Sequence, residues 1–128
     1  MVCGVDSGQS PLVRHFFVAG TDAVGARVRF DERHQGAPRY AHGGAVAALL
    51  DDACGYVAYL VSKIFVTAHL EIDYRKPVLL GTEYDVLARC TFTDGRKVHL
   101  TADLLDGRTP VAQAAGLFIE VDLDHFHP

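Results

Sequence analysis

The sequence contains no run of lysine and arginine, no linker-like stretch of serine, proline and glycine, and only three cysteines. Because phosphate neutralisation needs clustered cations, the net charge of −4 argues against nucleic acid or a membrane surface as a partner. Cys3, Cys54 and Cys90 are odd in number and far apart, which is typical of free thiols in a reducing compartment. Residues 1–10 lack the apolar run of a signal peptide. We therefore expect a cytoplasmic protein with one domain over residues 1–128.

The motifs of several enzyme classes are also missing. The sequence has no serine nucleophile elbow, no phosphate-binding loop and no dinucleotide fingerprint. His125 and His127 could bind a metal ion, but no cysteine and histidine cluster with metal-ligand spacing accompanies them. We therefore expect neither a metal nor another cofactor.

Alternation of apolar and polar residues predicts that most of the chain is β-strand. An early strand covers residues 24–31, and residues 12–19 are its predicted partner. Three later strands have predicted apolar faces formed by Ala68, Leu70, Ile72 and Tyr74; by Tyr84, Val86, Ala88, Cys90 and Phe92; and by Val98, Leu100, Ala102 and Leu104. Residues 111–121 are the last predicted strand. Asp94-Gly95 and Asp106-Gly107 predict tight turns, because glycine accepts positive φ. The last three strands should therefore form an antiparallel meander.

Residues 41–61 are the longest weakly polar stretch and predict a single long helix. Asp51 and Asp52 in its middle would be costly at a bilayer centre, which favours a buried helix over a membrane span. Steps of three and four residues give a predicted sheet-facing stripe of Val46, Leu49, Leu50, Ala53, Val57 and Leu60. A helix this apolar must be wrapped by the sheet or covered by a partner. A curved antiparallel sheet wrapped around one long central helix is the α+β architecture known as the hotdog fold.

Asp51 is the candidate for chemistry on this helix. It shares a face with the small residues Ala47, Cys54 and Ala58, where a ligand or another backbone could approach closely. Adjacent helical residues point ~100° apart, so only one of two neighbouring aspartates can address a given reacting atom. A half-buried carboxylate is costly unless it is paired or used. The alternative is a structural acid, hydrogen-bonded to a strand or across a dimer.

Gly43 and Gly44 at the helix start form a second candidate element. Backbone N–H groups of a first helical turn lack partners inside the helix and carry partial positive charge, so they could form an oxyanion hole. The alternative is that the glycines only allow close packing. Gly43 and Asp51 are eight residues apart, which is ~12 Å along a helix. If both act on one carbonyl group, the site must combine two subunits.

At residues 41–51 the sequence resembles the PaaI-like branch of the hotdog thioesterases, in the 4-hydroxybenzoyl-CoA thioesterase superfamily. That branch has a His-Gly-Gly motif followed by an aspartate nine residues after the histidine, and His42 and Asp51 have this spacing. The resemblance extends through residues 66–77 and 95–98, and so covers most of residues 30–121. It implies a homodimer or a pair of dimers that hydrolyses an acyl-CoA, with an aryl or medium-chain acyl group as the expected substrate.

The resemblance also implies a role for each site residue. The N–H of Gly43, together with that of Gly44, would polarise the thioester carbonyl. Asp51 of the facing subunit would act as general base or nucleophile, and Thr67 would position the water or the carboxylate. His42 would fix the loop. The expected CoA phosphate ligands are Arg75, Lys76, Arg96, Lys97 and Arg39, and the expected pocket lining is Tyr56, Tyr59 and Phe65; as an alternative, the basic residues are ordinary solvated charges.

One departure from the family pattern leaves other functions open. Related enzymes often have an asparagine or glutamine in the loop where this chain has Gly36, and Gln35 is the candidate replacement. Arg39 and Tyr40 stand where small residues are common. A dehydratase on the same fold would pair His34 with Asp51. A non-catalytic acyl-CoA-binding protein is the other alternative.

Overall fold

The computed structural model describes residues 16–20, 22–61 and 64–121. Its elements are β1 (Phe17–Val18), β2 (Ala23–Arg29), a 3₁₀ turn (Glu32–His34), α1 (Gly43–Val61), β3 (Phe65–Tyr74), β4 (Glu83–Asp94), β5 (Lys97–Asp106) and β6 (Thr109–Glu120). Cys3, His125, His127 and residues 12–15 of the predicted first strand lie outside the described residues.

The strands form one antiparallel sheet in the order β1-β2-β4-β5-β6-β3. The predicted meander is confirmed as β4-β5-β6. Both predicted turns are confirmed as well, because Gly95 (φ 59°) and Gly107 (φ 63°) adopt the left-handed backbone that favours glycine. β3 occupies one edge of the sheet.

The helix packs against one face of the sheet, which confirms the hotdog fold. It contacts β2 to β6, and its buried residues are Val46, Leu49, Leu50, Ala53, Cys54, Gly55, Val57 and Ala58. The prediction for Leu60 is wrong, since this side chain near the helix end is 41% exposed. Cys54 and Ala58, from the predicted row of small residues, are buried in the protein's own core. Among the described helices, α1 is long and apolar enough for a membrane span, a property that core helices share.

Two β-bulges change which side chains face the helix. The β3–β6 register shifts between Thr67 and His69, and the β4–β5 register shifts between Cys90 and Phe92. Ala68 is exposed, and Phe92 is 55% exposed and stacks on His99 with ring centroids 4.1 Å apart. The predicted inward orientations of Ala68 and Phe92 are therefore wrong.

The bulge in β3 places residues from both halves of the strand on the helix side. Before the bulge, Phe65 packs against the core and Thr67 contacts Asp51. After the bulge, Leu70 and Ile72 pack against the same core. A strictly alternating strand would have turned Thr67 away from the helix.

Candidate active site

His42 caps the start of α1. Its carbonyl accepts from the N–H groups of Ala45 (3.0 Å) and Val46 (3.2 Å), and its Nδ1 accepts from the Gly44 N–H at 2.8 Å. An imidazole that accepts at Nδ1 is neutral and carries its proton on Nε2. The Gly44 N–H is occupied, so the prediction that Gly44 also polarises a carbonyl does not fit this arrangement. The expected loop-fixing contact of His42 is present.

The Gly43 N–H has no acceptor among the described residues. Gly43 lines an open cavity of about 410 Å³ together with Tyr40, Ala41, Val46, Tyr74, Arg75, Lys76, Pro77 and Val78. A Cβ at Gly43 would lie 3.3 Å from Tyr74 Oη, and one at Gly44 would lie 2.9 Å from His42 Nδ1. Both glycines therefore serve close packing, and Gly43 in addition presents a free donor with the partial positive charge of a helix start.

Asp51 lies halfway along the helix and faces a second cavity. Its Oδ1 accepts a 3.5 Å hydrogen bond from Thr67 Oγ1. Burial raises the pKa of Asp51, and the Thr67 hydrogen bond partly offsets this rise. The cavity of about 230 Å³ is lined by Asp51, Asp52, Gly55, Phe65, Val66, Thr67 and Phe118. The carboxylate is thus open to a small molecule, and the predicted proximity of Thr67 and Phe65 to it is present.

Asp52 was not predicted as a site residue, yet it lines the same cavity. Burial, together with the negative charge of Asp51, raises its pKa to about 6. The sequence signal for this effect of Asp51 on Asp52 is the placement of two adjacent acidic residues in an otherwise apolar helix. Helix geometry pointed the two side chains apart, but the cavity is wide enough to include both.

Gly43 and Asp51 line different cavities of one chain. Gly43 lies beside Tyr74 at the end of β3, whereas Asp51 lies beside Thr67 near its beginning. This arrangement agrees with the ~12 Å separation expected along a helix. One protomer does not bring the two groups to one reacting atom.

The predicted phosphate ligands Arg75 and Lys76 line the Gly43 cavity. Arg75 Nε donates to Gln113 Oε1, and Gln113 Nε2 donates to Asp103 Oδ1 at 3.0 Å. The Arg75 guanidinium is therefore partly held against the sheet, while Lys76 is exposed at the cavity rim.

Arg96 and Lys97 lie at the β4–β5 turn, and both are exposed. Lys97 pairs with Ile119 on β6, and Ile119 pairs in turn with Val66 on β3. Val66 lines the Asp51 cavity. The turn therefore lies at the end of the sheet where β3 begins, opposite to the end that carries Arg75.

The remaining predicted ligands lie away from the Asp51 cavity. Arg39 has a left-handed backbone (φ 74°), and its carbonyl accepts from the Leu80 N–H at 3.0 Å. Tyr56 is half-buried and packs on Phe16 with ring centroids 4.6 Å apart, and Tyr59 is 65% exposed. Tyr56 and Tyr59 do not line the Asp51 cavity of a single chain, and their place in an acyl pocket between two chains stays a prediction.

The loop before the helix explains the departure at Gly36. A Cβ at position 36 would lie 3.1 Å from His42 Cα, so a side chain there would press on the helix cap. Gln35 Oε1 accepts from the Arg39 N–H at 3.3 Å and is thus used within the loop.

His34 has a structural environment that does not suit the dehydratase alternative. Its side chain is buried, its Nδ1 accepts from the Asp31 N–H at 3.1 Å, and its ring packs edge-on against Phe30. It does not line the Asp51 cavity.

The part of the chain that the structure describes contains no metal cluster, and the Cys54 thiol is unreactive. No group of three or more histidine, cysteine, aspartate or glutamate side chains is placed there to hold a metal ion. Burial raises the pKa of the Cys54 thiol to about 12, which keeps it protonated at neutral pH.

The sequence of this chain is similar to those of known thioesterases. A family model described as thioesterase superfamily matches residues 39–112. Acyl-coenzyme A thioesterase THEM4 of Rattus norvegicus is 39% identical over 92 residues, which are 70% of this chain and 40% of that protein. Acyl-coenzyme A thioesterase THEM5 of Mus musculus is 28% identical over 70% of this chain and 37% of its own length. The chain thus spans about two fifths of the length of these relatives.

Solved structures show the same fold. PaaI from the phenylacetic acid degradation operon of E. coli superposes with a TM-score of 0.78 at 15% identity, covering 84% of this chain and 79% of that one. The thioesterase superfamily protein RHA08564 superposes with a TM-score of 0.73 at 28% identity, covering 77% and 49%.

The raised pKa of Asp52 predicts a pH-dependent stability. Its carboxyl ionises near pH 6 in the folded protein, against 3.8 ordinarily, so the folded state retains a proton that the unfolded chain releases. The stability that Asp52 contributes is therefore complete below about pH 4 and is lost as the pH rises through about 6. Asp52→Asn has no charge to bury. The urea midpoint of this variant, relative to wild type, should be higher at about pH 7.5 than at about pH 4.

If the urea midpoints of Asp52→Asn and wild type differ by the same amount at both pH values, this prediction is contradicted. Such a result would mean that Asp52 titrates in the folded protein as it does in the unfolded chain.

Proposed function

Since the chain belongs to the thioesterase superfamily, we propose that it hydrolyses the thioester of an acyl-CoA to a free acid and CoA. The observation that carries the proposal is Asp51, a half-buried carboxylate bonded to Thr67 and open to a cavity, on the helix whose first N–H, at Gly43, is free. The similar THEM4 and THEM5 proteins are named acyl-coenzyme A thioesterases, which supports this substrate class.

Each group has a distinct part in the proposed reaction. The Gly43 N–H donates to the thioester carbonyl oxygen, which becomes negatively charged as the tetrahedral intermediate forms. In one route Asp51 removes a proton from the water that attacks the carbonyl carbon, and the intermediate then expels the CoA thiolate, which takes up that proton. In the other route Asp51 attacks the carbonyl carbon itself and expels the CoA thiolate, and water then opens the resulting anhydride. Burial raises the pKa of Asp51 and so makes its carboxylate a stronger base. Thr67 holds this carboxylate by its hydroxyl group.

We propose a homodimer as the catalytic unit, with a pair of dimers as the larger assembly. β3 is an edge strand, and its unpaired side can continue the sheet with a second copy. In an antiparallel pairing, the beginning of one β3 lies beside the end of the partner's β3. Thr67 and Asp51 of one chain then approach the partner's Tyr74 and the partner's Gly43.

The same dimer would combine the two basic groups at one CoA. Lys97 and Arg96 lie at the end of the sheet where β3 begins, so they share that end with the partner's Arg75 and the partner's Lys76. These cations can neutralise the CoA phosphates even though the chain is acidic overall. The apolar part of the Asp51 cavity, with Phe65, Val66 and Phe118, suits an aryl or medium-chain acyl group. We propose a cytoplasmic location, which suits the free thiols of Cys54 and Cys90.

A second candidate function is non-catalytic binding of acyl-CoA in the same cavity. This alternative is supported by Gly36, which stands where related enzymes often have an asparagine or glutamine. Release of free thiol from a panel of acyl-CoAs distinguishes the two, because a binding protein would saturate without turnover.

Mixed dimers test the two-chain site. Gly43→Pro deletes the backbone donor at a position where helices accept proline, and its Cβ would lie 3.3 Å from Tyr74 Oη. Asp51→Asn deletes the base. Each variant alone should be inactive. Refolded together, they should recover roughly a quarter of wild-type turnover per chain, because half of the random dimers are mixed and each mixed dimer has one intact site.

Two results would contradict this prediction. Wild-type turnover by Asp51→Asn would remove the base from the proposal. Absence of recovery in mixtures proven by mass spectrometry to contain mixed dimers would place Gly43 and Asp51 in one chain's site.

The basic turn can be tested by separating the nucleotide from the thioester. Arg96→Ala and Lys97→Ala should each raise KM for acyl-CoA roughly two- to fivefold, because they remove exposed charge pairs with phosphate. KM should not change for the same acyl group on N-acetylcysteamine, which lacks the nucleotide. Arg89→Ala is the matched control and should change neither value, because Arg89 is exposed in the middle of β4, away from both ends of the sheet. Equal effects on both substrates would contradict a phosphate contact.

A further inference from the structure

The first turn of α1 is weak by composition. Gly43 and Gly44 occupy its first two positions, and glycine orders less readily in a helix than any residue except proline. The Gly43 N–H is nevertheless the donor on which the proposed reaction depends. Something outside the helix must therefore hold this turn in place.

Tyr74 provides such a contact from the end of β3. Its hydroxyl donates to the Gly43 carbonyl at 2.6 Å. The N–H of that same peptide group, on Gly44, donates to His42 Nδ1 at 2.8 Å. The His42 N–H in turn donates to the carbonyl of His34, a buried residue, at 2.6 Å. A continuous chain of hydrogen bonds thus runs from β3 through the first peptide of the helix to the loop after β2.

The close contact requires both partners. A Cβ at Gly43 would lie 3.3 Å from Tyr74 Oη, closer than most side chains tolerate. Glycine therefore admits the tyrosine, and the tyrosine restricts the glycine. Once the peptide group between Gly43 and Gly44 is held on both sides, the ψ angle of Gly43 is fixed. The orientation of the Gly43 N–H relative to that peptide group is then fixed as well.

We propose that Tyr74 is a positioning residue for the proposed thioester hydrolysis, acting through Gly43. This inference rests on the proposed function. The hydroxyl of Tyr74 is used by the Gly43 carbonyl, so its effect on the reaction is to keep the free Gly43 N–H in place as the carbonyl oxygen becomes negative. The ring, which lines the cavity beside Gly43, is separate from this role.

Tyr74→Phe tests the proposal because it removes the hydroxyl and keeps the ring. We expect kcat to fall roughly tenfold or more, since small misplacements of a catalytic group have effects of this size. KM for acyl-CoA should stay within about twofold, because the cavity wall is retained. Amide hydrogen exchange in residues 43–47 of the ligand-free protein should become faster.

Tyr84→Phe is the matched control. The Tyr84 hydroxyl also bonds to the backbone, accepting from the Leu79 N–H at 2.9 Å, but it lies in the buried core and outside the Gly43 cavity. This variant should lower the urea midpoint and leave kcat and exchange at residues 43–47 unchanged.

A double-mutant cycle with His42→Ala tests the connection itself. Because Tyr74 and His42 hold opposite sides of one peptide group, their effects on kcat should not be additive. Additive losses, or an unchanged kcat in Tyr74→Phe, would overturn the proposal. If the wild-type protein hydrolyses no thioester, the proposed function fails. Hydrogen exchange then tests by itself whether Tyr74 holds the first turn of α1: unchanged exchange in Tyr74→Phe overturns this role, and faster exchange supports it.

Discussion

The rigidity of one buried helix sets the main constraint on this protein. Its side facing the sheet is packed from Val46 to Ala58, so the helix cannot bend to bring its two functional positions together. Gly43 and Asp51 stay ~12 Å apart along the axis, and they open into separate cavities. A donor and a base so separated can act on one carbonyl group only if a second helix supplies one of them. The proposed dimer follows from this distance.

β3 serves both halves of the proposed site. Near its beginning, Thr67 bonds to Asp51, and at its end Tyr74 bonds to Gly43. The bulge between Thr67 and His69 makes this possible, because it turns residues on both sides of it toward the helix. As β3 is also the edge strand, a second copy paired along it would place one chain's Thr67 end beside the partner's Tyr74. In the proposed dimer, catalytic support and assembly would both depend on the ten residues of β3.

The sequence predicts those features that depend on local pattern. Strand alternation, the glycine turns at Gly95 and Gly107, and the helix start follow from periods and φ preferences that neighbouring residues determine. Features that depend on pairing partners were missed. The bulges depend on how β3 and β4 pair with their neighbours, and the occupied Gly44 N–H depends on the rotamer of His42. The half-buried cavity that includes Asp52 forms only when β3 packs on the helix, and no local signal gives its width. The catalytic and substrate-binding roles remain predictions.

A crystal structure with a non-hydrolysable acyl-CoA thioether ketone would test the central claim most directly. The ketone oxygen should lie within hydrogen-bond distance of the Gly43 N–H of one subunit, and the ketone carbon next to the Asp51 carboxylate of the other. A ligand held by Gly43 and Asp51 of the same chain, or bound in neither cavity, would contradict it.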